Sequence, residues 1–286
     1  MTRLITALTI FLLGMGTAQA FDLDIGKLFD AAKSASDLKQ VDEKGELEIG
    51  NTAAAGILGA APLVKDDKLQ AYVNQVGLWL ALQTERPDLP WHFGVMDSDS
   101  VNAFAAPGGY VFITRGLLLH MQSEAELAGV LAHEISHVLK HHHLQAIQKN
   151  AQVSLVTNLI SAVSNDSGMS GKLSAETKKK LIRVTNKLYA RGLDKDDEFE
   201  ADRMGVVIAA RAGYDPYGLP AILQTLDAMN AQDSSLALMF KTHPAPQKRL
   251  ELLDGLMTGT MDRYASQPVV ADRFEKVVGT YARSGH

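Results

Sequence analysis

Between residues 133 and 137 the chain reads His133-Glu134-Ile135-Ser136-His137, two imidazoles four residues apart with a carboxylate between them. A separation of four is close to one helical turn, so a helix projects both rings from one face toward a common point. Such a pair can hold a single Zn²⁺, with Glu134 beside the ion's open position. The neighbouring sequence supplies the helix. Ser123-Glu124-Ala125-Glu126 reads as a capping box, Ser123 capping and Glu126 reaching back, and Leu127, Val130, Leu131, Ile135 and Val138 follow at helical spacing. The expectation is a half-buried helix that carries one Zn²⁺ per chain.

Two histidines do not complete a catalytic zinc, which usually takes three protein ligands and leaves a fourth position open. The chain has no cysteine, so every ligand must be nitrogen or oxygen, and no thiol is available for a disulfide or a lipid anchor. His143 lies six residues past His137, a spacing that would need a helix-breaking glycine where Lys140 stands. His141 continues the series 133, 137, 141, but a third turn lies too far along the axis to reach the same ion easily. Both are expected at the rim of the site or behind its ligands. The stronger candidate is Glu198-Phe199-Glu200-Ala201-Asp202, where Glu198 and Asp202 share a helix face and Glu200 points elsewhere. Glu198 is expected on the zinc, and Asp202 on the second ring N–H of His133, fixing its tautomer.

The remaining segments frame this site. Leu69, Val73, Val76 and Leu80 predict an amphipathic helix from about Asp66 to Thr84, ending before Pro87. Trp91 to Met96 and Tyr110 to Thr114 read as strands, with the turn formers Pro107-Gly108-Gly109 before the second. Between them, Asn102-Ala103-Phe104-Ala105 is a small-residue stretch suited to a flat sheet edge. Such an edge can bind an extended peptide as an added strand, with little sequence preference. Asp22 to Val41 has a loose helical pattern and is expected as an N-terminal arm over about residues 21–45, whereas Thr52 to Val64 has no clear assignment. The apolar stretch from Val153 runs into a Ser/Gly-rich segment, and about 153–175 is expected as a flexible flap over the site, with membrane-surface contact a second possibility.

Residues 1–20 carry Arg3, an apolar run and Ala18-Gln19-Ala20, the three regions of a secretory signal peptide, and residues 21–286 are expected to form one domain. A formal net charge of −5 provides no basic field for nucleic acid or anionic lipid.

Asn102 to Gly109, Arg115-Gly116-Leu117-Leu118, Ser123 to Ala128, the His133 to His137 helix, Glu198 to Asp202 and Thr242-His243-Pro244 occur in the order found in the HtpX-like and CaaX-prenyl-protease-like zinc metallopeptidases. The chain resembles that gluzincin family over about residues 46–255, and within it the soluble periplasmic BepA-like and LoiP-like members. The resemblance implies an α+β, mostly helical domain whose small sheet lays an edge strand along the zinc-site helix. It implies a periplasmic zinc-dependent endopeptidase of envelope quality control acting on misfolded or misassembled polypeptides, with Glu134 as general base on a zinc-bound water. It also carries the histidine before proline onto His243, as an inhibitory fourth ligand or an oxyanion-stabilising group. Ala245 stands where family members often have a second proline, and neither transmembrane helices nor a helical-repeat tail is visible. Two rival readings use the same residues: a chaperone-like zinc protein that grips exposed strands without cutting them, and a latent protease held shut by His243 and the flap.

Overall fold

The computed structural model describes residues 41–150, 175–230 and 232–284. These belong to one compact unit beginning at Gln40; the other unit, Met1–Lys39, lies outside the described residues. The expected signal peptide, most of the expected arm and nearly all of the expected flap therefore also lie outside them.

The chain runs through α1 (Glu43–Ala60), α2 (Asp67–Ala81), β1 (His92–Met96), β2 (Ala103–Ala106), β3 (Tyr110–Thr114), α3 (Arg115–Leu119) and α4 (Glu124–Leu139). It continues through α5 (His142–Asn150), α6 (Ala175–Tyr189), α7 (Lys195–Arg211), α8 (Gly218–Ala228), α9 (Ala237–Thr242) and α10 (Pro246–Leu256), with short helical turns from 257 to 283. The fold is α+β and mostly helical, as expected. The unassigned stretch from Thr52 falls in α1, whose small residues Ala53, Ala54 and Gly56 are buried. Its amphipathic stripe is weak because glycine and alanine are chosen there for close contact: a Cβ on Gly50 would lie 1.8 Å from the Pro107 carbonyl oxygen.

The sheet order is β1-β3-β2, with β1 parallel and β2 antiparallel to β3. The outer side of β1 is closed by α2: the Val95 N–H donates to Gln70 Oε1 at 2.9 Å and the Phe93 N–H to Asn74 Oδ1 at 3.2 Å. β2 is the other edge and packs against α4, as the sequence predicts. On its inner side the Thr114 N–H donates to the Asn102 carbonyl at 3.0 Å, and Thr114 Oγ1 accepts the Asn102 N–H at 3.0 Å. Strand alternation then turns the Phe104 and Ala106 main chain toward β3, and the Ala103 and Ala105 main chain outward.

Helix α4 differs from expectation in its burial. It is not half buried: every residue from Glu124 to Val138 is buried. The sheet, α2, α7 and α8 all pack on it, so its polar residues are buried against these elements and the clefts between them. Its start follows the capping pattern with a shift. Ser123 Oγ accepts the Glu126 N–H at 3.3 Å, but Glu126 accepts the Gln122 N–H, not that of Ser123.

Candidate active site

His133 and His137 project from one face of α4, with their Nε2 atoms 3.1 Å apart. Helix α7 crosses this face, and Gly205 allows the approach. A Cβ at Gly205 would stand 2.9 Å from the His133 main-chain nitrogen, so any side chain there would push α7 away. The close crossing brings in Glu198, whose carboxylate oxygens lie 3.7 Å from His133 Nε2 and 3.7 Å from His137 Nε2. One atom from each of the three residues falls within 4.8 Å of the others. Glu134, Asn102 and His243 line the clefts on either side.

The other ring nitrogens of the two histidines are held as well. His133 Nδ1 lies 2.9 Å from Asp202 Oδ1, one turn beyond Glu198. Sequence reasoning missed what holds Asp202: Arg249 of α10 donates from Nε at 2.9 Å and from Nη2 at 2.5 Å. Burial alone would raise the Asp202 pKa, but the Arg249 charge and these hydrogen bonds hold it well below the usual carboxylate range. Asp202 is thus an anion that accepts the His133 Nδ1–H and leaves the Nε2 lone pair toward Glu198.

The second support was also missed. His137 Nδ1 lies 2.9 Å from His142 Nδ1, and His142 Nε2 lies 3.3 Å from Glu200 Oε2. With His137 Nε2 free to bind a cation, its Nδ1–H donates to His142, and His142 donates onward to Glu200. Glu200 points away from the His133, His137 and Glu198 cluster, anchors this relay and pairs with Lys140 at 2.6 Å. The only advance signal was the run His141-His142-His143. Helix α4 breaks there without glycine: His141 takes the left-handed conformation (φ 56°), which histidine tolerates better than most residues. The break directs His142 behind His137 and His143 to the cleft wall, while His141 turns toward Glu46.

His243 ends α9, with Nε2 3.7 Å from Glu198 Oε2. Its loop is held by Gly192 at φ 86°, where a Cβ would lie 2.2 Å from the Thr242 carbonyl oxygen. Of the expected edge residues, Asn102, Ala103 and Phe104 line a cleft, whereas the Ala105 side chain is in the core and offers only main chain. Asn102 Oδ1 accepts the Ala103 N–H at 3.0 Å, and its buried Nδ2 has no partner among the described residues. Tyr189, also unforeseen, closes the far wall. It stacks on His143 with centroids 5.0 Å apart, and its hydroxyl donates to the Ala105 carbonyl at 2.5 Å.

The model of peptidase family M48 matches residues 67–257. The chain belongs to peptidase family M48. It is 31% identical over 242 residues to the β-barrel assembly-enhancing protease of Escherichia coli K12, covering 82% of this chain and 47% of that protein. Its identity to the Yersinia pestis protein of the same name is 32% over 231 residues, 77% of this chain and 45% of the relative. To the mitochondrial metalloendopeptidase OMA1 of Schizosaccharomyces pombe it is 30% over 183 residues, 64% of this chain and 51% of the relative. The chain therefore spans about half the length of these curated relatives.

M48 peptidases are zinc-dependent, and the donor set fits that ion. Two imidazoles and a carboxylate form a His₂Glu set. Burial lowers the pKa of both histidines, keeping them in the neutral form that binds metal. Glu198 Oε2 is buried without a hydrogen-bond partner among the described residues, and burial pushes the Glu198 pKa well up. A divalent cation would supply the missing partner and reverse that electrostatic cost.

Proposed function

We propose that this M48 chain is a zinc metalloendopeptidase with His133, His137 and Glu198 as metal ligands and Glu134 as general base. The observation that carries the reading is the convergence of His133, His137 and Glu198 within 4.8 Å, with one Glu198 oxygen buried and unpartnered among the described residues. When bound, the ion would supply Lewis acidity, activating water and polarising the scissile carbonyl. Glu134 accepts the proton from the attacking water and returns it to the leaving amine. Burial raises the Glu134 carboxyl to about 8, so in the protein alone it holds a proton at neutral pH; a cation beside it favours the ionised base. Asn102 Nδ2 is a donor for a substrate carbonyl, and His243 is positioned to steady the oxyanion or to approach the metal as an inhibitory ligand.

The substrates proposed are unfolded or misassembled polypeptides of the bacterial envelope, bound as extended segments along β2 in the periplasm. The name of the Escherichia coli and Yersinia pestis relatives supports the envelope assignment. Among the described residues no helix is long and apolar enough to cross a membrane. Residues 1–20 are proposed as a secretory signal and 21–286 as one domain.

Casein cleavage and zinc content of the purified protein, wild type and Glu134→Gln, test the reading. Zinc in both with cleavage by wild type alone is the expected result. Zinc in both and cleavage by neither would favour the second reading, a latent or strand-gripping protein. The proximity of His243 to Glu198 supports that alternative, and His243→Ala should then release activity.

A further inference from the structure

An extended substrate that joins the sheet must hydrogen-bond the outward main chain of β2, which means the groups of Ala103 and Ala105. The Ala105 carbonyl already accepts the Tyr189 hydroxyl at 2.5 Å. The Tyr189 ring is fixed beside the same strand, edge-on to Phe104 with centroids 6.1 Å apart and stacked on His143 at 5.0 Å. It also lines the cleft that contains Glu134 and His137. A substrate N–H joining the sheet there would compete with the tyrosine hydroxyl for the outward side of that carbonyl, where the Tyr189 ring already stands.

The helix that carries Tyr189 is attached differently from the rest of the site. The α6 residues Leu181 and Leu188 belong to a small apolar cluster with Ile49, Leu144 and Ile147, separate from the main core that surrounds α4. Elements held by few apolar contacts open at lower free energy than those built into the main core. The proposed metal ligands sit on α4 and α7, so a shift of α6 would not carry them with it.

From these observations we infer that Tyr189 is a gating residue: its hydroxyl stands in for a substrate backbone N–H on the Ala105 carbonyl, and a peptide binds along β2 by displacing it. This rests on the peptidase reading for the identity of the guest, but the contact itself is independent of hydrolysis. The gate selects for extended segments with a free N–H at that register, and against folded chains whose amides are already paired. Unfolded substrate is thereby distinguished without any side-chain pocket.

Tyr189→Phe keeps the ring against Phe104 and His143 and removes only the competing donor. A short fluorescein-labelled casein peptide should bind the zinc-loaded Glu134→Gln/Tyr189→Phe protein about two- to tenfold more tightly than Glu134→Gln, the range for one net hydrogen bond. With Glu134 restored, KM should fall by a similar factor at unchanged kcat. Equal or weaker binding in the double variant would overturn the gate. As a second measurement, on Glu134→Gln with Tyr189 intact, each peptide N–H is replaced in turn by an ester oxygen. The positions that meet the Ala103 and Ala105 carbonyls should each lose several-fold in affinity, and a series with no sensitive position would also overturn the proposal. Peptide binding that follows these expectations with no cleavage by any Glu134-containing form would sink the peptidase reading alone.

Discussion

At the scale of single residues, the candidate site depends on buried hydrogen bonds that set which nitrogen of each histidine faces Glu198 and would meet a metal. Asp202 could be identified from its separation of four from Glu198, since the helical repeat places both on one face. Arg249 could not: it lies 47 residues from Asp202, on another helix. Arg249→Met should leave Asp202 as an unpaired buried anion, costing roughly 3–5 kcal/mol of stability. By loosening His133 it should also weaken zinc binding about 10- to 100-fold, read by competition with a chelator. His142→Phe is expected to produce the second effect, since His137 loses the acceptor for its Nδ1–H. If His142→Phe left zinc affinity unchanged, the 2.9 Å contact would be incidental to binding.

At the scale of elements, the close approach of α7 to α4 lets a carboxylate from one helix meet imidazoles from another. Gly205→Ala tests this, because the new methyl would meet main-chain atoms of α4 that cannot rotate away. Overpacking of this kind costs about 1–3 kcal/mol, and the displaced Glu198 should reduce zinc occupancy in the folded fraction. An alanine variant with wild-type melting temperature and zinc content would show that the helices separate freely. The sheet illustrates the reach and limit of sequence reading. The strands, their turn and the edge position of β2 followed from β-branched and small residues near Pro107-Gly108-Gly109. That the edge is already occupied by Tyr189, 84 residues away, did not.

Across the whole molecule, the start of α4 is tied to the C-terminal segment through Glu124, which is fully buried. It accepts the Tyr72 hydroxyl at 2.8 Å, the Tyr214 hydroxyl at 2.7 Å and Arg273 Nε at 2.6 Å. Burial opposes ionisation, but Arg273 and the two tyrosines win and hold the Glu124 pKa below its usual value. A carboxyl with a depressed folded-state pKa contributes stability above its unfolded value, and that contribution is lost as pH falls through the folded value. Arg273→Ala should therefore move the acid-unfolding midpoint, followed by circular dichroism, to higher pH. At neutral pH the loss should be about 1–2 kcal/mol, discounted because the Arg273 side chain is 59% exposed. An unchanged acid midpoint would mean that the tyrosines alone hold the carboxylate.

What the sequence by itself determined is local: the paired histidines, the paired carboxylates, the helix start, the strands and, through ordered motifs, the family. Helical and strand periodicities convert short spacings directly into shared faces, so these features need no knowledge of distant chain. The tertiary structure decided the full burial of α4, the Arg249 clamp, the His142–Glu200 relay and the capped edge of β2. Each depends on which side chains meet across the fold, and residues 47, 58 and 84 positions apart have no periodicity to connect them. Only the tertiary packing that sets α10 on α7, α5 beside α7 and α6 beside β2 brings them within hydrogen-bonding distance.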